Sequence, residues 1–224
     1  MSMLDLTNGL TYFIAMLFSL TFHEAAHAFA SFALGDDLAK REGRLSLNPA
    51  VHADPIGTLV FPLVCAVALP GAPFIGWAKP VPYDERNFKK PLRDAMLTAA
   101  AGPVSNLILG FLCMVILVLN SRFQWSVFQD GSVLAPAIKI LTAMTYVNGM
   151  LAFLNLIPLP PLDGATIMRA FVSRDFWDRY ESTIGPYGFI IFLGLAFAGL
   201  LTWISSFTMV YVKLIQSLAV MIVG

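Results

Sequence analysis

The chain of 224 residues is 58% hydrophobic and 12% charged with a formal net charge of zero, and its mean hydropathy is +0.74. Soluble domains carry about 25% charged residues, so the composition excludes an ordinary soluble domain, and it lacks the polar low-complexity sequence of a disordered one. The charge balance leaves no footprint for nucleic acid. The two cysteines, Cys65 and Cys113, form no Cys-x-x-Cys pair, which excludes a cysteine-based zinc site and argues against a disulfide framework.

The remaining class is a multi-pass protein with the lipid bilayer as its solvent, and a spanning helix needs about 20 mostly apolar residues. The first candidate is 9–34. No basic region precedes it, so it reads as a retained helix rather than a cleaved signal peptide. The second, 56–75, is interrupted by Gly57, Pro62, Pro70, Gly71 and Pro73. Basic residues follow both: Lys40, Arg41 and Arg44 after the first, and Lys79, Arg86, Lys89, Lys90 and Arg93 after the second. Short basic loops prefer the cytoplasm. Both loops reach that side only if 56–75 enters and leaves at one face, which predicts a re-entrant segment.

Residues 95–119 and 133–157 give two further spans. Residues 165–183 mix Arg and Asp with Ile167, Phe171, Phe176 and Tyr180 at roughly helical spacing, as in a helix lying at the membrane surface. The tail, 187–223, is long enough for two passes with a break near "TWISS". The expected architecture is an all-α polytopic membrane protein. It has about five to six transmembrane helices, a re-entrant segment and short extended strands near the site ("GRLSLNP" being one), with 1–224 as a single membrane domain. The first span then runs toward the cytoplasm, which puts its second half at the depth where the fourth ends.

The chemistry concentrates in "TFHEAAHAFA". His23 and His27 are four apart, so on a helix both imidazoles lie on one face, one turn apart. Both can reach one zinc ion at about 2.0–2.1 Å. Glu24 is rotated by about 100° and sits beside such an ion, placed to take a proton from water. His-Glu-x-x-His on a helix is the zinc metallopeptidase pattern for this reason. Ionisable groups inside a membrane helix are functional by default, which weakens the alternative of a hydrogen-bonded polar patch.

A catalytic zinc site needs a third protein ligand and an open position. His52, in "SLNPAVHADPIGT", is one candidate, with a turn-stabilising role as its alternative. Asp163, in "NLIPLPPLDGA", is favoured by depth: Pro158, Pro160 and Pro161 stop the preceding helix, and Gly164 permits a close turn. A helix-capping role for Asp163 is the competing reading. Glu42 and the Asp36–Asp37 pair read as solvated surface charge, and Asn106 as a packing residue among small neighbours.

"HEAAH" in an apolar helix followed by "NLIPLPPLDG" at the end of a later one resembles the site-2 protease family of intramembrane zinc metalloproteases. "SLNPAVHADPIGT", "GWAKPVPYDERNF" and "AAGPVSNL" resemble a small bacterial branch without a PDZ or regulatory domain. The resemblance covers about residues 10–175. It implies that His23, His27 and Asp163 bind one Zn2+ and that Glu24 is the general base. It also implies that Asn155 assists catalysis, and that the partner is a transmembrane protein substrate cut within or near its membrane segment. The implied location is the bacterial inner or plasma membrane, with the active site toward the cytoplasmic side. The family often has a second glycine after "LDG", where this chain has Ala165. The alternative from another class is a non-proteolytic metal-binding or transport protein, in which the same ligands would carry an ion or proton across the membrane.

Overall fold

The computed structural model describes residues 3–62, 64, 76–128 and 131–223. Long apolar runs form the helices expected of them. α1 spans Met3–Ala33, α4 Pro91–Phe123, α5 Ala135–Asn155 and α9 Leu201–Val223. Two single turns, α2 (Leu38–Arg41) and α3 (Pro49–His52), lie between α1 and α4. Three shorter helices follow α5: α6 (Asp163–Arg169), α7 (Arg174–Ile184) and α8 (Gly188–Leu195).

Helices α1, α4 and α5 pack on one another, and α9 packs on α4 and α5. Small side chains set these distances. Ala15, Cys113, Ala143 and Met144 form one buried cluster where α1, α4 and α5 meet, and Met114, Ile215 and Ala219 form another between α4 and α9. At Gly110 a Cβ would lie 2.7 Å from the Tyr211 hydroxyl, which donates to the Leu107 carbonyl. Without a hydrophobic drive between helices in lipid, such close backbone approach supplies the association. The outer faces are apolar and open, as with Ile108, Leu112, Trp203 and Val210.

Among the described residues, four helices are long and apolar enough to cross a membrane: Thr7–Ala33, Pro91–Phe123, Ala135–Asn155 and the helical run Arg174–Val223. Against the expected five to six, the described residues hold four. The tail gives one full pass instead of two, because α8 has only eight residues, about 12 Å of rise against a hydrocarbon core of about 30 Å. Its break falls at Gly199, whose φ of 101° only glycine adopts freely, and not at "TWISS". The predicted surface helix is split in two. Ser173 caps α7 by accepting the Phe176 N–H, and no residue of α7 is buried.

The predicted strands are absent among the described residues; a single antiparallel bridge joins Ala53 to Ala78. "GRLSLNP" is irregular because its polar groups are spent on local turns, with Asn48 capping α3 and Arg44 N–H bonded to Ala39. The expected re-entrant stretch 56–75 lies mostly outside the described residues, but its two flanks are held together. The Trp77 N–H donates to Gly57, the Lys79 N–H to His52, and the Thr58 hydroxyl to the Trp77 carbonyl at 2.8 Å. The course of the chain between these flanks lies outside the described residues.

Asp36 corrects the reading of surface charge. It is fully buried, and its carboxylate accepts from the Leu38 and Asp84 N–H groups and the Asn87 amide, because it ties the loop after α1 to the one before α4. Asp37 and Glu42 remain exposed.

Overpacking costs about 1–3 kcal/mol in a close-packed interior. Gly110→Val should therefore lower the thermal midpoint in detergent by several degrees. Gly194→Ala, facing open space, should leave it within error; equal midpoints for both variants would contradict the helix contact.

Candidate metal centre

α1 presents His23 and His27 on its inner face, 4% and 8% exposed. Their Nε2 atoms lie 3.0 Å apart. Asp163 Oδ2 is 3.1 Å from His23 Nε2, and Asp163 Oδ1 is 3.4 Å from His27 Nε2. These three are the one group of His, Cys, Asp and Glu side chains among the described residues that converge closely enough to hold a metal ion. A tetrahedral set with bonds of about 2.0–2.1 Å requires ligand atoms about 3.3 Å apart, which is close to the spacing found.

The other ring nitrogen of each histidine fixes its tautomer. His27 Nδ1 lies 2.7 Å from the Thr98 carbonyl, which only accepts, so Nδ1 carries the proton. His23 Nδ1 lies 2.6 Å from Asn106 Oδ1. The Asn106 amide nitrogen donates to the Ser19 carbonyl and to Asn148 Oδ1, so its oxygen must face His23. Asn148 in turn donates to the Met144 carbonyl and the Ser19 hydroxyl. Every amide in the chain is thereby oriented, and His23 Nδ1 also carries its proton. With neutral rings, both Nε2 atoms then present lone pairs to each other and to a carboxylate. Asp163 Oδ2 is buried without a hydrogen-bond partner, with His23 Nε2 3.1 Å away. Two imidazoles and one carboxylate converging on one point form a donor set that suits zinc.

The backbone leaves room for this. A Cβ on Gly102 would lie 2.5 Å from the His27 ring and 2.6 Å from that of His23. Asp163 arrives because α5 ends at Asn155 and the proline run carries the chain to α6. There Gly164 sits so close that a Cβ would strike the Leu156 and Ile157 carbonyls. Asp163 is the first helical residue of α6, whose cap position is Leu162 with no side-chain capping bond, so the capping role is not taken.

Glu24 lies outside the converging set. Its Oε2 accepts the Val81 N–H at 3.1 Å, and it faces the same cavity as the histidines. That cavity, about 990 Å³, is also lined by Asn155, Asp163, Met16, Leu20, Trp77, Val147 and Phe192. No lysine or arginine among the described residues lines it. Asn155 donates to its own helix at Leu151 and lines the cavity without joining the set. His52 is away from it, buried with Nε2 bonded to the Ser46 carbonyl.

Sequence reasoning missed the supports. Asn106 is more than a packing residue, and Asn148, Thr98 and Gly102 were unassigned. An amide inside an apolar span was the available signal for both asparagines; a backbone carbonyl such as that of Thr98 gives none.

An apolar, multi-pass helical bundle with an inward His-x-x-x-His pair and a distant aspartate matches the family model "Peptidase family M50" over residues 11–195. The chain belongs to peptidase family M50, the site-2 protease family, and so to the metalloproteases. It is 40% identical over 185 residues to YwhC of Bacillus subtilis, covering 81% of this chain and 78% of that protein. It is 30% identical to Rip2 of Mycolicibacterium smegmatis, over 78% of this chain and 62% of that one. It is 32% identical to Rip2 of Mycobacterium tuberculosis, over 66% and 52%. All three are candidate zinc metalloproteases by name. No solved structure matches the chain.

Two substitutions separate the residues at the centre from those nearby. Asp163→Ala should abolish bound divalent metal in the purified protein, whereas His52→Ala should keep it; the reverse pattern would reassign the third ligand. Gly102→Ala should reduce metal content at least tenfold while helicity by circular dichroism is retained.

Proposed function

We propose that the chain hydrolyses peptide bonds within or near transmembrane segments of membrane-protein substrates. His23, His27 and Asp163 hold one zinc ion, and residues 1–224 act as a single membrane unit. The observation that carries this reading is the convergence of His23, His27 and Asp163 on one point, with Glu24 beside them in a single cavity. Zinc bound there polarises a carbonyl and makes water acidic enough to lose a proton near neutral pH.

The protein's own groups do the rest. Glu24 accepts the proton as water attacks and returns it to the leaving amine. Its carboxylate is kept facing the cavity by the Val81 N–H. Asn155 spends one donor on Leu151, which leaves the rest of its amide to hydrogen-bond a substrate carbonyl. The apolar lining accepts an uncharged membrane segment, which must be unwound because a helical peptide bond is shielded by its own hydrogen bonds. The basic loops between α1 and α4 support an orientation with this end toward the cytoplasm of a bacterial inner or plasma membrane.

The test is to incubate wild type and Glu24→Gln with a panel of single-pass helices and map cuts by mass spectrometry. Wild type should cut at least one helix, while Glu24→Gln should retain its zinc and lose at least 100-fold in rate. Absence of cleavage by zinc-loaded wild type, together with metal flux that Glu24→Gln abolishes, would favour transport instead.

A further inference from the structure

We propose that Arg44 is a positioning residue for the reaction: its guanidinium holds the stretch of chain from which Val81 steadies the Glu24 carboxylate. This rests on the reading of Glu24 as proton acceptor. By sequence Arg44 belongs with Lys40 and Arg41 as loop charge. In the structure it is 2% exposed, and no carboxylate among the described residues forms an ion pair with it. A buried cation without a counter-ion is costly unless its protons are well placed, so its partners carry the explanation.

Those partners are all backbone carbonyls. One terminal nitrogen, Nη2, donates to Lys79 and to Pro80, each at 2.8 Å. The other, Nη1, donates to Val51. The fork thus grips two consecutive residues immediately before Val81, and braces them against the turn of α3. Val81 packs against Ala28 and Ala39, but the backbone of this segment has few pairings of its own. The bridge at Ala78 and the Lys79 N–H bond to His52 are its last backbone pairings before the turn at Glu85. Pro80 has no N–H to donate. The Val81 N–H therefore goes to Glu24 Oε2 from a stretch whose preceding two carbonyls are held by Arg44. A planar guanidinium can hold several carbonyls in a fixed fork; an ammonium is a point donor on a flexible stem. A surface charge serving only membrane orientation would need neither burial nor this geometry.

The experiment uses the full chain with Arg44→Lys and Arg44→Gln, and reads metal content, steady-state cleavage and amide hydrogen exchange by mass spectrometry. We expect exchange to rise at least tenfold in peptides covering residues 79–82, with peptides of α4 and α5 unchanged. We expect kcat to fall at least tenfold at unchanged KM and unchanged zinc, with Arg44→Lys falling less than Arg44→Gln. Wild-type exchange at residues 79–82, or full kcat in Arg44→Gln, would overturn the proposal. So would exchange rising throughout the protein together with a lowered melting point, which marks a role in stability alone. The exchange result is read with or without cleavage, so if wild type cuts nothing the peptidase reading fails while exchange at residues 79–82 still decides what Arg44 holds.

Discussion

The convergence of two imidazole nitrogens and a carboxylate on one buried point is the constraint around which this bundle is arranged. Two imidazole nitrogens 3.0 Å apart, facing a carboxylate, are unfavourable together unless something fixes them and a positive charge offsets them. The fixing comes from the far side of each ring. His27 is tied to a carbonyl of α4, and His23 to Asn106 of α4, which is tied to Asn148 of α5 and back to Ser19 of α1. Three helices thus share one hydrogen-bonded chain, and its partners are satisfied, as buried polar networks must be.

Helix spacing follows from that chain. Side-chain amides reach only a few ångströms, so α1, α4 and α5 must approach closely where they meet. Gly102 allows α4 to lie against the two histidine rings, and alanines fill the neighbouring contacts. The fourth contribution, Asp163, comes from a different device. Prolines end helical pairing after α5, and the chain turns back into α6 with its carboxylate already inside. Tyr180 of α7 secures this turn by donating to the Pro158 carbonyl.

How much of this was legible depends on whether the information sat in residue type or in backbone. The His23, Glu24, His27 spacing could be read because helical periodicity converts sequence distance into direction. Asp163 could be read because proline and glycine constrain the chain on either side of it. The number of passes was overestimated because hydropathy measures apolar length and is blind to Gly199, where a single left-handed residue redirects the tail. A strand was expected at "GRLSLNP", yet its polar groups are spent on local turns and on the cap of α3. Asp36 was read as solvated and Arg44 as loop charge because charge usually is; what buried them was the loop after α1 folding against the segment before α4, a long-range contact no local pattern reports.

The order of these parts along the chain has a consequence for biosynthesis. The amide relay that orients His23 is complete once α5 has joined α1 and α4, whereas the carboxylate that completes the donor set is translated later, beyond the proline run. During synthesis the imidazole pair therefore precedes the carboxylate by more than 130 residues, and the three donors can meet only after α6 has been made.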